Sequence, residues 1–125
     1  MIVLDSSVIL ASAFNEPGQI DLSALFEVAA ISAVNLGEVV SKLLEREYDR
    51  DGFDYFVDRL SKICHPLSTR HAVQAGLWRK DTRRLGLSMG DRCCLALGLD
   101  LGAEVYTAER AWATLELGVK VRVIR

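Results

Sequence analysis

The sequence predicts an α/β fold in which a central, mostly parallel five-stranded sheet is flanked by helices in three α/β/α layers. Short apolar runs alternate with longer amphipathic segments, which is the pattern of strand–helix units around a parallel sheet. The chain has 125 residues, of which 50% are hydrophobic, so it can bury one core but not two. We therefore expect residues 1–125 to form a single domain.

Five short segments have the apolar, partly β-branched composition of buried strands. We predict strands at Ile2–Leu4, Ala30–Ile31, Ile63–His65, Ala103–Tyr106 and Val119–Ile124. The segments between them predict helices at Val8–Phe14, Leu22–Val28, Ala33–Tyr48, Phe53–Leu60 and Thr69–Arg84, and from Ser88 to a stop at Gly102. The third helix has the clearest apolar stripe, and Ser32 is its expected N-cap.

Composition excludes several classes of protein. No apolar run reaches the ~18 residues of a membrane span and no basic leader opens the chain, so we expect a cytoplasmic protein without a signal peptide. The three cysteines lack the spacing of a zinc site, and we expect free thiols, with Cys93 and Cys94 packed in the core. The formal net charge is −2, so any binding of nucleic acid must depend on a local basic patch.

Four acidic residues occupy special places in this layout. Asp5 ends the first strand, and Glu109 follows the strand that ends at Tyr106. Asp91 lies in the first turn of the helix that begins at Ser88, and Glu38 lies in the first two turns of the long third helix. Parallel α/β sheets place their binding crevice at the carboxyl ends of the strands. We therefore expect the four carboxylates to converge there.

Each acid also has an explanation that needs no shared site. Asp5 can cap the first helix, and Ser88 with Asp91 matches a capping box. Glu109 can favour a helix N-terminus through the helix dipole. Glu38 lies four residues before Lys42, which is the spacing of a surface ion pair worth under ~1 kcal/mol. Spacing alone leaves both interpretations open.

A real cluster of these acids would need a cation. Two carboxylates ~4 Å apart repel by about 4 kcal/mol at an effective dielectric constant of about 20. Such a cluster must bind a divalent ion or take up protons through raised pKa values. Because the candidate ligands are all oxygen atoms, the expected ion is Mg²⁺ or Mn²⁺ rather than zinc.

Four segments around these acids resemble the motifs of the PIN domain family. Residues 2–7 (Ile-Val-Leu-Asp-Ser-Ser) resemble the opening motif, and residues 32–39 (Ser-Ala-Val-Asn-Leu-Gly-Glu-Val) resemble the second. Residues 87–92 (Leu-Ser-Met-Gly-Asp-Arg) resemble the third and residues 106–112 (Tyr-Thr-Ala-Glu-Arg-Ala-Trp) the last. Within the family, the length and motif wording are similar to the VapC-type toxins of type II toxin–antitoxin modules.

The resemblance implies a PIN-like fold and a metal-dependent RNA endonuclease. It implies that Asp5, Glu38, Asp91 and Glu109 are catalytic and bind Mg²⁺ or Mn²⁺, which would activate a water for attack on the phosphodiester. The family more often has aspartate where Glu109 stands, so the way this residue would reach a metal stays open. Ser7 and Thr107, beside the acids, are expected to hydrogen-bond water or ligands or to cap helices. Products would carry 5′-phosphate and 3′-hydroxyl ends.

Basic residues precede the third motif. Arg79, Lys80, Arg83 and Arg84 form the densest basic segment, and Arg92 is next to Asp91. We expect this group to contact the RNA backbone, although a solvated helix end with favourable dipole interactions explains it equally well. Arg110 has the corresponding place beside Glu109 and can screen the acids or contact phosphate.

The resemblance also implies partners, and other protein classes can be weighed against it. VapC-type toxins are expected to form homodimers and to be inhibited by a cognate antitoxin protein. A receiver domain fits poorly because Asp5 lacks an acidic neighbour, and a haloacid-dehalogenase phosphatase needs an aspartate where Ser7 stands. The two histidines, His65 and His71, show no partner in the sequence. The main alternative is a catalytically weak PIN-fold module that binds RNA or protein.

Overall fold

The structure, a computed structural model, describes residues 1–125 and contains one sheet of five parallel strands in the order β3-β2-β1-β4-β5. The strands are β1 (Ile2–Leu4), β2 (Ala29–Ser32), β3 (Cys64–His65), β4 (Glu104–Thr107) and β5 (Val121–Val123). All five predicted strands are confirmed, and the last is shorter than predicted. β1 is central, and its residues Ile2, Val3 and Leu4 pair with Glu104, Val105 and Tyr106 of β4.

Six α-helices and three 3₁₀ turns connect the strands. The helices are α1 (Ser6–Ala13), α2 (Ala33–Glu45), α3 (Arg50–Ser61), α4 (Thr69–Leu77), α5 (Arg79–Thr82) and α6 (Met89–Leu101). The 3₁₀ turns are Leu22–Ala24, Arg83–Leu85 and Arg110–Thr114. Ser32 caps α2 and Ser88 caps α6 through their side chains, as predicted. None of these helices is both long and apolar enough to span a lipid bilayer.

The two faces of the sheet are covered by separate apolar clusters, which confirms the three-layer prediction. Leu4 and Ile31 project to one face, where they pack with buried residues of α1, α2 and α3. Val3 and Val105 project to the other face, where α6 supplies Cys94 to Leu97. Because successive strand residues alternate between faces, both faces of β1 are fully buried.

The predicted helix Leu22–Val28 is wrong. Only a 3₁₀ turn forms at Leu22–Ala24, where the Asp21 side chain accepts a hydrogen bond from the Ser23 backbone at 3.1 Å. A helix of seven residues gains few intrahelical bonds against the cost of nucleation. Burial of Leu22 and Phe26 in the core fixes the segment instead.

The predicted helix Thr69–Arg84 is also wrong as a single element, because it breaks at Trp78. Both Trp78 and Thr82 are buried, and the Thr82 hydroxyl donates to the Trp78 carbonyl at 2.9 Å. Such a bond to the carbonyl four residues earlier bends a helix. The predicted end at Gly86 is confirmed, since this residue has a left-handed φ of 68°.

Candidate metal centre

Asp5 is a buried carboxylate at the carboxyl end of the central strand. Its backbone N–H donates to the Tyr106 carbonyl at 2.9 Å, which continues the pairing of β1 with β4. Its side chain is 1% exposed and makes no capping bond to α1, so the capping explanation is wrong. Its Oδ2 instead accepts hydrogen bonds from Ser7 Oγ at 2.5 Å and Thr107 Oγ1 at 3.0 Å.

The two hydroxyls that hold Asp5 are themselves fixed by the backbone after β4. Ser7 Oγ accepts from the Ala108 N–H at 2.9 Å, and Thr107 Oγ1 accepts from the Glu109 N–H at 3.0 Å. A hydroxyl has one proton and two lone pairs, so each keeps its proton for Asp5 while accepting a backbone bond. Ser7 and Thr107 therefore orient the Asp5 carboxylate.

The second oxygen of Asp5 is unpartnered. Oδ1 is buried and has no hydrogen-bond partner in the protein. The pKa of Asp5 is raised from 3.8 to about 6, mainly by burial; the charges of Asp91 and Glu38 act in the same direction, and the hydrogen bonds from Ser7 and Thr107 act against them. Asp5, Glu38 and Asp91 are thus close enough to repel one another.

Glu38 is held on α2 by neutral donors. Its Oε1 accepts from Asn35 Nδ2 at 2.7 Å and from Ser6 Oγ at 3.3 Å. Lys42 pairs with Glu45 at 3.2 Å instead, so the ion-pair explanation of Glu38 is wrong. No cation neutralises this carboxylate within the chain.

Asn35 is a buried amide that connects α2 with α6. It is 0% exposed, its Oδ1 accepts from Ser32 Oγ at 2.7 Å, and its Nδ2 also reaches the Gly90 carbonyl at 3.4 Å. A Cβ at Gly90 would lie 2.7 Å from Glu38 Oε2, so only glycine lets this carboxylate approach α6 so closely. The start of α6, with its positive helix dipole, therefore lies against Glu38.

Asp91 lies in the first turn of α6, where the capping box is confirmed. Its Oδ2 accepts from the Ser88 N–H at 2.8 Å, and Ser88 Oγ accepts from the Asp91 N–H at 3.2 Å. The cap engages one carboxylate oxygen only, and Asp91 still contributes a charge that acts on Asp5. Asp91 can therefore cap α6 and also belong to the acidic cluster with Asp5 and Glu38.

Glu109 stands apart from the other three acids. It is exposed, makes no side-chain capping bond, and is absent from the charges that act on Asp5. Its backbone is nevertheless fixed at the end of β4 by the bond to Thr107. The structure therefore brings Asp5, Glu38 and Asp91 together and leaves Glu109 at the rim.

Several residues of the site escaped the sequence analysis. Asn35 and Ser6 bind Glu38, and the fully buried thiol of Cys94 lies close enough to the acids for their charges to act on it. Burial raises the pKa of Cys94 well above 9.0, and the charges of Asp5, Asp91 and Glu38 raise it further. The available signal for Asn35 was its place three residues after the N-cap Ser32 and three before Glu38.

The basic residues differ in their environment. Arg79, Lys80, Arg83 and Arg84 are exposed. Arg92 is only 4% exposed and donates to the carbonyls of Ser88 at 3.3 Å and Ala75 at 2.9 Å. Its guanidinium thus joins α6 to α4 within the protein and does not face a solvent-borne phosphate.

The predicted thiols and the two histidines lie outside any catalytic pairing. All three cysteines are free, and Cys93 and Cys94 are buried as predicted. His71 forms a hydrogen bond with Asp100 at 2.9 Å, at the end of α6 opposite to Asp91. This pair joins α4 to the last turn of α6.

The acidic site fits a hard divalent cation in its chemistry, although its side chains do not form a closed set of ligands. No three acidic, histidine or cysteine groups lie close enough to hold an ion as they stand. The buried, unpartnered Asp5 Oδ1 is nevertheless an acceptor without a donor, beside two further carboxylates. All-oxygen donors of this kind suit Mg²⁺ or Mn²⁺.

The fold and the site define a parallel three-layer α/β domain with carboxylates gathered at the carboxyl edge of its central strands. The chain belongs to the PIN domain family, because the sequence model of that family matches residues 2–116. The resemblance seen in the four motifs is thereby confirmed. A comparison with curated proteins gives no match.

Solved structures similar to this chain include several toxin–antitoxin proteins. One is a DNA-bound VapBC from Salmonella typhimurium, with a TM-score of 0.74 and 18% identity over 99% of this chain and 98% of that one. Another is VapBC2 from Rickettsia felis bound to a promoter DNA fragment, with a TM-score of 0.72 and 20% identity over 98% of both chains. A third is the sarcin-ricin loop cleaving toxin VapC20 from Mycobacterium tuberculosis, with a TM-score of 0.71 and 19% identity over 96% of this chain and 99% of that one. At these identities the likeness establishes the shared fold.

The raised pKa of Asp5 makes the stability of the metal-free protein depend on pH. The folded state binds the proton more tightly than the unfolded state, so the free energy of unfolding falls as pH rises from 3.8 to about 6. The loss is up to about 3 kcal/mol at 1.36 kcal/mol per pKa unit. Urea unfolding in EDTA at stepped pH should show this fall in the wild type but not in Asp5→Asn. The exposed-site control Asp58→Asn should behave as wild type, and an equal fall in Asp5→Asn would refute the assignment.

We expect that the Asn35 amide cannot be replaced by a carboxylate without a large loss of stability. Asn35→Asp replaces the donor that faces Glu38 Oε1 at 2.7 Å with a second buried acid. We expect a loss of at least about 3 kcal/mol in unfolding free energy at pH 7 without metal, because the new charge is buried and uncompensated. The chain offers a matched control in the exposed Asn15, where the same change should cost under about 0.5 kcal/mol. Similar losses at both positions would contradict the role assigned to Asn35.

Proposed function

We propose that residues 1–125 form a single PIN domain that acts as a metal-dependent endoribonuclease and as the toxin of a toxin–antitoxin pair. The observation that carries the proposal is the buried, unpartnered Asp5 Oδ1, which lies within the field of Glu38 and Asp91. Burying a carboxylate with one oxygen unpartnered, next to two more acids, has a free-energy cost that a bound cation would reduce. Membership of the PIN family and the likeness to VapBC structures support the same function.

The residues that would hold the ion are Asp5, Asp91 and Glu38, with Glu109 reaching in from the rim. When bound, Mg²⁺ or Mn²⁺ supplies Lewis acidity that polarises the phosphodiester and makes an attacking water more acidic. Ser7 and Thr107 keep the Asp5 carboxylate in one orientation through their two hydrogen bonds. Asn35 and Ser6 do the same for Glu38.

Hydrolysis by an in-line water would leave a 5′-phosphate and a 3′-hydroxyl. Such a product pattern separates this chemistry from the attack of a ribose 2′-hydroxyl, which gives cyclic phosphates. The exposed Glu109 is free to move towards a substrate, because its side chain makes no hydrogen bond in the protein. We therefore assign it a supporting role, below the three clustered acids.

A second candidate is a PIN-fold module that binds RNA or protein but cleaves poorly. The position of Glu109 favours this alternative, because the fourth acid stands outside the cluster that acts on Asp5. The two functions differ in catalysis but share the fold. Cleavage and metal binding must therefore be measured separately.

The proposal predicts cleavage of a cellular RNA pool at discrete sites in Mg²⁺ or Mn²⁺. The protein should first be denatured, separated from any bound partner and refolded. Asp91→Asn and Asp5→Asn should each lower the rate by at least ~100-fold, because each removes a ligand charge from the cluster. Glu109→Gln should lower it less. Mapping of product ends and of rates in EDTA checks all three expectations.

Asp58→Asn, an exposed substitution on α3, is the control and should cleave as wild type. Cyclic-phosphate ends, or equal cleavage with and without EDTA, would contradict the metal mechanism. If the wild type does not cleave RNA but binds Mn²⁺ in calorimetry, and Asp5→Asn does not bind it, the binding-module alternative is favoured.

We also propose that the protein is a homodimer whose activity a cognate antitoxin suppresses. The outer faces of α4 and α6 carry Val73, Leu77 and Leu99, which are 57%, 69% and 40% exposed. These side chains line a cleft with a volume of about 360 Å³. Large exposed apolar groups gathered on adjacent helices are typical of interfaces. The antitoxin proposal rests on the likeness to VapBC complexes.

Leu77→Glu is expected to convert the dimer to a monomer, because a charge would be buried at the contact. Light scattering coupled to gel filtration measures the mass directly. Leu44→Glu is a matched control, since Leu44 on α2 is 63% exposed and lies in a different layer. A monomeric wild type, or dissociation by Leu44→Glu alone, would show that this face is not the dimer contact.

A further inference from the structure

Most of the 15 lysine and arginine residues are already engaged within the fold. Five form ion pairs with acids, namely Lys42, Arg50, Lys62, Arg70 and Arg125. Three lie over aromatic rings, namely Arg46, Arg59 and Arg122. Arg92 is buried against backbone carbonyls. The six remaining cations have no ion pair, no ring contact and no buried backbone bond within the protein.

The remaining cations are exposed, and nearly all lie in one region. They are Arg79, Lys80, Arg83, Arg84, Arg110 and Lys120. The first four belong to α5 and the 3₁₀ turn that follows it, and Arg110 is next to Glu109. These five residues are called the basic rim below. Lys120 lies elsewhere, immediately before β5.

Four of the five residues of the basic rim lie in the segment that leads into α6, the helix that carries Asp91. Buried Trp78 and Thr82 fix α5, and after Gly86 the chain enters the cap of α6 at Ser88, three residues before Asp91. Arg84 and Asp81 also line a cleft of about 510 Å³ together with residues 114–117, which begin at the last residue of the 3₁₀ turn after Glu109. The rim thus runs beside the entry to α6 and the exit from β4.

The arrangement gathers like charges that no ion pair within the protein neutralises. Arg79, Lys80, Arg83 and Arg84 fall within six consecutive residues of α5 and the 3₁₀ turn that follows it, so their charges repel one another. The one acid among them, Asp81, forms no ion pair. This cationic density occurs in a chain whose net charge is −2. An external polyanion would remove the repulsion.

We propose that the basic rim binds the sugar–phosphate backbone of RNA and holds it beside the acidic cluster. This inference rests on the proposed endoribonuclease function. The acids repel a polyanion, so productive approach needs cations next to them. Arginine predominates in the rim, and its guanidinium binds phosphate oxygens in a bidentate manner. Residues 79–84 expose no large apolar side chain, which a protein-binding surface would need for affinity.

The test compares Lys80→Gln with Lys120→Gln, two substitutions that remove the same charge from exposed, unpaired lysines. The probe is a fluorescein-labelled single-stranded RNA of mixed sequence, and its anisotropy is measured in EDTA over a series of salt concentrations. Lys80→Gln should lower the slope of log affinity against log salt by about 0.7, and Arg83→Gln with Arg84→Gln by about 1.4. Lys120→Gln should leave the slope unchanged, and thermal unfolding should be unaltered in all variants.

The outcomes separate this inference from the proposed function. If the wild type binds RNA through the basic rim but does not cleave it, the role of the rim is supported and the nuclease function is refuted. Cleavage by wild type with equal slopes for Lys80→Gln and Lys120→Gln would refute the rim alone. Wild type that does not bind the RNA would also refute it. Unchanged RNA binding with weakened inhibition by a protein partner would assign the surface to that protein and overturn the inference.

Discussion

The site depends on the burial of one carboxylate at the end of the central strand. Asp5 follows a strand whose two faces are both covered by helices, and its side chain is almost entirely buried. Desolvation is the largest cause of its raised pKa, ahead of the two neighbouring acids. Without a bound cation the fold can relieve this cost only by holding a proton on Asp5 near pH 6 and below. In the proposed function, a proton and the cation would therefore compete for the Asp5 carboxylate.

Neutral groups rather than cations assemble the other acids around Asp5. Glu38 is oriented by an amide and a hydroxyl, and Asp91 by a backbone N–H. Lysine or arginine in these places would neutralise the cluster permanently and lower its affinity for a divalent ion. Both ends of the Asn35 amide are hydrogen-bonded, because its Oδ1 accepts from Ser32 and its Nδ2 donates to Glu38. Gly90 completes the arrangement by leaving space for the Glu38 carboxylate. The arrangement preserves negative charge at the cost of electrostatic repulsion.

Sequence reasoning succeeded where local signals agree with the tertiary structure. The five strands, the caps Ser32 and Ser88 and the stops at Gly86 and Gly102 follow from short-range chemistry, and parallel topology then places Asp5, Glu38 and Asp91 at one edge. It failed where packing overrides propensity. Burial of Leu22 and Phe26 fixes residues 22–28 outside an α-helix, and the burial of Trp78 and Thr82 breaks the helix predicted through them. Asn35 escaped because its burial depends on packing against α6, 55 residues away, although its two shortest hydrogen bonds are local. The burial of Arg92 is likewise a property of helix packing that charge patterns do not reveal.

The hydroxyls that hold Asp5 also connect its protonation state to the turn that follows β4. Ser7 Oγ and Thr107 Oγ1 each donate to Asp5 and accept an N–H from residue 108 or 109. The same two atoms therefore fix both the buried carboxylate and the start of the 3₁₀ turn that carries Glu109 and Arg110. Protonation of Asp5 would weaken the charge-assisted bonds from the hydroxyls, whose strength comes from the ionised acceptor. A cation that keeps Asp5 ionised consequently favours a firmly held turn. The fourth acid and the adjoining arginine are thus positioned by the same bonds that position the first.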